Sequence, residues 1–141
     1  MNNTAHRETM VPAQLAAVSE VRHFVESFCG LAGVARPSTL RLNLVLEELF
    51  TNTVKHGHGG DCESPVWIAL EARVQTVTLT YLDCAPAFNP FGMVEQVALG
   101  GVIEQRKVGG LGVLLATELT ESSEYARLFG RNRMKMVLAR A

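Results

Sequence analysis

Apolar side chains recur every three to four positions near the start of the chain, which is the spacing of an amphipathic helix. They run from Pro12 to about Cys29 and comprise Leu15, Val18, Val21, Phe24, Val25 and Phe28. Pro12 suits a first helical turn, and Gly30 or Gly33 suits a helix end. The pattern therefore predicts a helix over this range.

A second helix is predicted from about Leu40 to Lys55, after Pro37. Ser38 or Thr39 is the expected N-cap, because a side-chain oxygen there can accept a hydrogen bond from a free backbone N–H. The helix is expected to stop near Gly57, and the glycine-rich residues 56–60 are predicted to form a loop.

The period then changes from helical to alternating. In residues 66–71, the apolar residues Val66, Ile68 and Leu70 occupy every second position. Residues 77–82 are rich in β-branched side chains. Two neighbouring strands in a hairpin follow from this pattern.

Glycine and proline interrupt residues 83–110, which are expected to be a long connection with a short helical piece near residues 93–99. A short helix over residues 112–119 and a final hairpin, residues 125–129 and 133–138 with a turn at 130–132, complete the prediction. Because consecutive strands neighbour each other, the sheet should be at least partly antiparallel, with helices on one face.

Composition narrows the function classes. The 141 residues include 13 Lys and Arg and 14 Asp and Glu, so the formal charge is 13 − 14 = −1. Neither nucleic acid nor an anionic membrane would be attracted by a long-range field. The length predicts a single domain over residues 1–141, and the absence of an apolar stretch of about 20 residues predicts a cytoplasmic protein. Cys29, Cys62 and Cys84 are expected to be reduced thiols.

The second predicted helix carries the first polar constellation. Glu48 and Asn52 are four residues apart, which places them roughly 40° apart around the axis and about 6 Å along it. Lys55 and His56 lie near the same stripe. Such a set could hold a hydrated metal and an anionic ligand. A solvated polar stripe is the alternative.

Two further segments follow strands or open helices. Asp83 ends a predicted strand and begins the segment Asp83–Pro90, where a carboxylate could accept a hydrogen bond from a ligand amine. The run Val108–Gly112 could present helix N-terminal N–H groups to phosphate. Taken singly, the first segment could be an ordinary turn and the second a flexible one.

The three segments together resemble a known ATP-binding domain. Glu48–Gly57 matches the N box, Asp83–Pro90 the first glycine box and Gly109–Gly112 the second glycine box of the domain shared by DNA gyrase, heat-shock chaperone ATPases and sensor histidine kinases. The chain is most similar to the small bacterial anti-sigma factors that are also serine kinases, and Phe129–Leu138 resembles their final hairpin. The resemblance covers Leu40–Arg140. It implies the histidine-kinase-like ATPase (Bergerat) fold, an α+β two-layer sandwich with a mixed, largely antiparallel sheet and helices on one face.

The resemblance also implies residue roles. Glu48 would be the general base that activates the attacking hydroxyl, Asn52 would coordinate Mg²⁺ at the ATP phosphates, and Asp83 would recognise the adenine amine. The other positions expected to bind the nucleotide are Lys55, His56, Ala85, Phe88, Lys107, Gly109, Gly110, Leu111 and Gly112, with residues 92–108 as a lid.

Two positions depart from the family pattern. Ala85 stands where the first glycine box has glycine, which a negative φ would accommodate and a positive φ would not. The last strand of the family often carries a threonine near the adenine, and Lys135 is the nearest candidate here.

The function implied by the resemblance is a Mg·ATP-dependent serine/threonine protein kinase that is also an anti-sigma factor. Its expected partners are a sigma factor and an anti-anti-sigma protein of the STAS type, with no direct nucleic acid or membrane partner; a homodimer is common in the family. The alternative, motivated by Ala85, is a non-catalytic anti-sigma or adaptor module that is nucleotide-gated or nucleotide-independent. A sensor-kinase catalytic domain ranks below both, because no sequence resembling a phospho-accepting helical hairpin is present.

Overall fold

A computed structural model describes residues 4–91 and 120–141 of the chain. In these residues two helices and five strands follow one another. They are β1 (Ala5–Pro12), α1 (Val18–Ala32), α2 (Arg36–Asn52), β2 (Pro65–Ala72), β3 (Thr76–Asp83), β4 (Ser122–Leu128) and β5 (Arg131–Ala139). A 3₁₀ turn, Leu15–Ala17, precedes α1, and a π-helical turn, Thr53–Gly57, continues α2.

The five strands form one sheet in the order β1-β2-β3-β5-β4. All four pairings between the described strands are antiparallel, which confirms the predicted antiparallel character. The predicted hairpin of residues 66–71 and 77–82 is present as β2 and β3. Because β3 pairs with β5, the last hairpin is placed beside β3 rather than at the other edge of the sheet.

One face of the sheet is buried under the two helices. Along β2 and β3 every second residue is buried, which is the pattern of a strand covered on one side only. The helices contribute Val21, Val25, Phe28, Leu42, Val45, Leu46, Leu49 and Phe50 to the core, and the strands contribute Val66, Ile68, Leu70, Val77, Leu79, Tyr81, Met134, Met136 and Leu138. The molecule is therefore an α+β structure with its helices on one face of an antiparallel sheet.

The N-terminal segment differs from the prediction. Pro12 does not begin a helix but ends strand β1, opposite Pro65, and α1 begins only at Val18. In β1, Val11 is the only fully buried residue, and His6, Arg7 and Glu8 are exposed. This edge strand therefore lacks the apolar alternation by which strands are recognised, and an edge tolerates proline.

The ends of the two helices are set by local geometry. Gly33, with φ 69°, ends α1 in the left-handed conformation, as predicted for one of the two candidate glycines. The predicted caps of α2 are wrong, because Ala35 is the N-cap and both Ser38 and Thr39 lie buried inside the helix. Proline in the first turn costs no hydrogen bond, so the helix starts before Pro37.

The final hairpin turns one residue earlier than predicted. Its two-residue turn consists of Phe129 and Gly130, with φ values of 51° and 76°. Two positive φ values match the right-handed twist of the flanking strands. The helical segments predicted at residues 93–99 and 112–119 lie outside the described residues.

Candidate functional site

A cavity of about 270 Å³ opens where the end of α2 and its π-helical turn meet the ends of β3 and β5. Its volume is close to the lower end of the range of small-molecule sites. Its lining consists of Leu49, Asn52, Thr53, His56, Gly57, Asp83, Ala85, Pro86, Ala87, Phe88, Pro90, Asn132 and Met134.

Asp83 is the carboxylate in this lining and is only 3% exposed. Its Oδ1 accepts hydrogen bonds from Asn132 Nδ2 at 2.8 Å and from the Ala85 backbone N–H at 3.1 Å. Its Oδ2 accepts a hydrogen bond from Thr53 Oγ1 at 2.8 Å. These donors replace part of the hydration that a buried carboxylate loses, and they hold it in one orientation.

The Tyr81 hydroxyl extends this network away from the cavity. It lies 2.6 Å from Thr53 Oγ1, and both residues are buried. Burial raises the pKa of Tyr81 well above its ordinary value, the hydrogen bond with Thr53 opposes this, and the charge of Asp83 raises it further. The single hydrogen of Thr53 is directed at Asp83 Oδ2, at 2.8 Å, because a carboxylate is a stronger acceptor than the Leu49 carbonyl at 3.0 Å. The Tyr81 hydroxyl, which keeps its proton, is therefore the donor in its hydrogen bond with Thr53 Oγ1.

Asn132 connects the sheet to the segment that follows Asp83. It is 2% exposed and stands opposite Asp83 in the β3–β5 register. Its Nδ2 lies within 3.1 Å of three acceptors: Asp83 Oδ1 and the carbonyls of Ala85 and Pro86. Its Oδ1 faces three donors: the Phe88 N–H, the Tyr125 hydroxyl and the Arg127 guanidinium.

The π-helical turn brings the backbone against the same segment. His58 N–H donates to the Thr53 carbonyl at 2.9 Å, the wider spacing of a π turn. A Cβ added to Gly57 would lie 2.8 Å from the Cβ of Ala85, so only glycine permits this approach. Ala85 itself has a negative φ, and its methyl group is accommodated without backbone strain.

Glu48 and Asn52 lie side by side near this cavity. Asn52 Nδ2 donates to Glu48 Oε2 at 3.4 Å, and both side chains are half-buried. Burial raises the pKa of Glu48, while the Asn52 hydrogen bond and the charges of His56 and Lys55 oppose the rise. A carboxylate with a raised pKa accepts protons more readily, as a general base must.

The structure brings only some of the predicted site residues together. Asn52, His56, Asp83, Ala85 and Phe88 line the cavity. Glu48 does not line it and reaches it through Asn52, and the exposed Lys55 is not in the lining either. The predicted residues Lys107, Gly109, Gly110, Leu111 and Gly112 lie outside the described residues.

Thr53 and Asn132 were not predicted, and the expectation for Lys135 is wrong. Lys135 is exposed and pairs with Thr80 on the sheet face away from the helices, whereas Asn132 lies beside Asp83. Asn132 lies two residues before the buried Met134, so their side chains are on the same face of β5. Alternation along β5 could therefore have indicated that Asn132 points inward. Thr53 carries a weaker signal, because the π turn changes the helical spacing after Asn52.

No preformed cluster of three or more His, Cys, Asp or Glu side chains suited to a metal ion occurs in residues 4–91 and 120–141. Glu48 and Asn52 nevertheless provide carboxylate and amide oxygens, which are the ligand types that Mg²⁺ prefers. Mg²⁺ usually takes one or two protein ligands and completes its shell with water and phosphate. The residues present therefore fit a metal that arrives with a nucleotide.

Comparison with known protein families assigns the chain to one of them. The model of the histidine kinase-like ATPase domain matches residues 11–140. The chain belongs to this family. The family name implies ATP binding, and the cavity that contains Asp83 lies within the part of the chain that the family model matches.

A solved structure with the same fold is the crystal structure of the RsbU and RsbW domains of Rv1364c from Mycobacterium tuberculosis. The TM-score is 0.64 at 14% sequence identity, and the match covers 96% of this chain. The match covers 32% of the chain in that structure. None of the curated protein sequences matches the chain. No helix within the described residues is long and apolar enough to cross a bilayer.

Proposed function

We propose that this histidine kinase-like ATPase domain is a Mg·ATP-dependent serine/threonine protein kinase that also acts as an anti-sigma factor. The observation that carries the kinase part is the pairing of Glu48 with Asn52 beside the cavity that contains Asp83. The anti-sigma part is supported by the resemblance of three segments, in order, to the small anti-sigma kinases. Its partners are then a sigma factor and an anti-anti-sigma protein of the STAS type.

In this proposal the cavity orients ATP by its base. Asp83 Oδ2 accepts a hydrogen bond from the exocyclic amino group of adenine, and the apolar side chains of Leu49, Phe88 and Met134 contact the ring. Asn52 lies at the side of the cavity where Glu48 approaches. The phosphates would extend towards this pair, which places the reacting phosphorus near the carboxylate.

Glu48 then acts on the attacking hydroxyl. The hydroxyl oxygen of a serine or threonine bonds to the γ-phosphorus, its proton moves to Glu48, and the bond from the γ-phosphorus to the bridging oxygen breaks to release ADP. Mg²⁺, held by Asn52 and the phosphates, would neutralise the charge that develops on the phosphate oxygens. The burial that raises the pKa of Glu48 also strengthens its tendency to take this proton.

The test uses the purified chain, Mg·ATP and a candidate anti-anti-sigma protein of the STAS type from the same organism. We expect phosphoserine or phosphothreonine on that protein by mass spectrometry. Glu48→Gln should lower the transfer rate by about 10²- to 10⁴-fold while ADP still binds. Glu47→Gln is the matched control, because Glu47 is the adjacent residue on α2 and forms an ion pair with Arg22 instead.

Three results would count against the proposal in different ways. Full transfer by the Glu48→Gln variant would remove the assigned base. ATP binding without any transfer would instead favour the non-catalytic nucleotide-binding module, and no ATP binding would favour a nucleotide-independent adaptor.

A further inference from the structure

Asn132 makes more hydrogen bonds than are needed to hold β5 in the sheet. It occupies the second position of β5, is 2% exposed, and contacts both Asp83 and the backbone of residues 85–88. Antiparallel pairing of β3 and β5 already holds these strands together. The side chain therefore acts on the segment at the cavity, beyond the sheet itself.

The orientation of its amide group follows from its neighbours. One end faces only acceptors, namely the Asp83 carboxylate and the carbonyls of Ala85 and Pro86. The other end faces the Phe88 N–H and the Tyr125 hydroxyl. A flipped amide would place its oxygen against the carboxylate, so Nδ2 must be the atom directed at Asp83.

This orientation limits how Asp83 can bind a ligand. A carboxylate has about four acceptor positions, two on each oxygen. Asn132 and the Ala85 N–H use both positions on Oδ1, and Thr53 uses one on Oδ2. The remaining position is on Oδ2. It suits an N–H donor and disfavours a carbonyl oxygen, which would meet a lone pair.

We infer that Asn132 is a positioning residue that makes the cavity selective for a 6-amino purine over a 6-oxo purine. It does so by occupying Asp83 Oδ1 and by holding residues 85–88 in place before the nucleotide arrives. This inference rests on the proposed function, because it takes the cavity as the site of the nucleotide base.

A purely structural role has a different signature. Loss of packing would weaken every nucleotide by the same factor, since no base contact would be singled out. Loss of positioning would release Asp83 to reorient, so binding of an amino purine would fall more than binding of its oxo analogue. The ratio of the two affinities is therefore the quantity to measure.

The experiment measures ADP and inosine diphosphate binding by calorimetry, with Mg²⁺, for the full chain. We expect the wild-type chain to prefer ADP. Asn132→Ala should weaken ADP binding about 10-fold and inosine diphosphate binding less than about 3-fold, since one buried charged hydrogen bond is lost. Asn132→Ser, which retains a donor but is too short to span to Phe88 N–H, should give a smaller change in the ratio and serves if the alanine variant does not fold.

Asn43→Ala is the matched control. Asn43 is also a buried asparagine that donates to a carboxylate, Glu26 Oε2 at 2.8 Å, but it lies between the helices and not in the cavity lining. It should leave both affinities unchanged. An unchanged ADP to inosine diphosphate ratio in the Asn132 variants would overturn the inference alone. A wild-type chain that binds neither nucleotide would overturn the proposed function and the inference with it.

Discussion

Gly57 and Ala85 approach each other so closely that a Cβ on Gly57 would lie 2.8 Å from the Cβ of Ala85. The contact joins the π-helical turn after α2 to the segment after β3. Gly57→Ala should therefore destabilise the chain by about 1–3 kcal/mol, the usual cost of overpacking. Urea unfolding measures this change.

The double variant Gly57→Ala with Ala85→Gly separates steric conflict from other effects. Removing the Ala85 methyl group makes room for the new one, so the double variant should be more stable than the sum of the two single changes predicts. Gly30→Ala is the control, because nothing lies within 4 Å of its position in α1, and it should stabilise the chain by up to about 1 kcal/mol. Strict additivity would show that the two positions do not compete for space.

Loss of the Thr53 hydroxyl is expected to lower the free energy of unfolding more than loss of the Thr53 methyl group. Thr53→Val keeps the shape but leaves the Tyr81 hydroxyl and Asp83 Oδ2 each without one partner. The free energy of unfolding should fall by about 1–3 kcal/mol, and adenosine should bind more weakly. Thr53→Ser retains the hydroxyl and should lose only about 0.8 kcal/mol for the missing methyl group.

Adding Tyr81→Phe to Thr53→Val tests whether the hydroxyls of Tyr81 and Thr53 are energetically coupled. The phenylalanine removes the hydroxyl that has lost its acceptor, so the double variant should recover part of the stability. If Tyr81→Phe costs the same in both backgrounds, the two hydroxyls are not coupled.

The ionised side chain of Glu48 should lower the free energy of unfolding, although the proposed activity requires it. Its pKa in the folded chain is raised above the ordinary value of 4.5, so the folded state binds its proton more tightly than the unfolded state does. The favourable contribution of the protonated form is complete below about pH 4.5 and is lost as pH rises through the raised value. Glu48→Gln stays neutral and should raise the midpoint of thermal unfolding at about pH 7, with the gain disappearing near pH 4. A gain that is equal at both pH values would exclude ionisation as the cause.

Phe129 is expected to destabilise the last hairpin. Its φ is 51°, a conformation that suits asparagine or glycine, and its side chain is 100% exposed. Phe129→Asn should stabilise the chain by about 1 kcal/mol, because Asn-Gly is the preferred sequence of this turn. Phe129→Ala retains a Cβ at the same φ and should give a smaller change. A less stable asparagine variant would show that the ring makes a contact that its exposure does not reveal.

The elements predicted most accurately are those whose signals are local. Alternation identified β2 and β3, and the position of Asp83 at the end of β3 followed from it. The edge strand β1 was not predicted, because its exposed polar residues do not alternate with apolar ones. Asn132 could not be assigned to the cavity, because its place there depends on the pairing of β3 with β5, between residues far apart in sequence.

The roles predicted for Glu48, Asn52 and Asp83 remain predictions, although the structure places the three near one another. Spacing along α2 predicted the contact of Glu48 with Asn52. The contact of Thr53 with Asp83 joins the π-helical turn after α2 to β3, and no pattern within either element indicates it. Local periodicity thus reveals pairs within one element, whereas pairs between elements require the fold.

The register pair Asp83 and Asn132 also has a consequence for how the chain can vary. The chain leaves the sheet after Asp83, enters it again at Ser122 in β4 and is beside Asp83 once more at Asn132, so the sheet fixes both ends of residues 84–121. For a flexible connection the entropy of closing the ends grows only logarithmically with length, by about 0.6 kcal/mol for each doubling. A change in the number of residues between these two ends should therefore cost little closure entropy. The end of the cavity around Asp83 can then stay constant while the intervening chain changes in length.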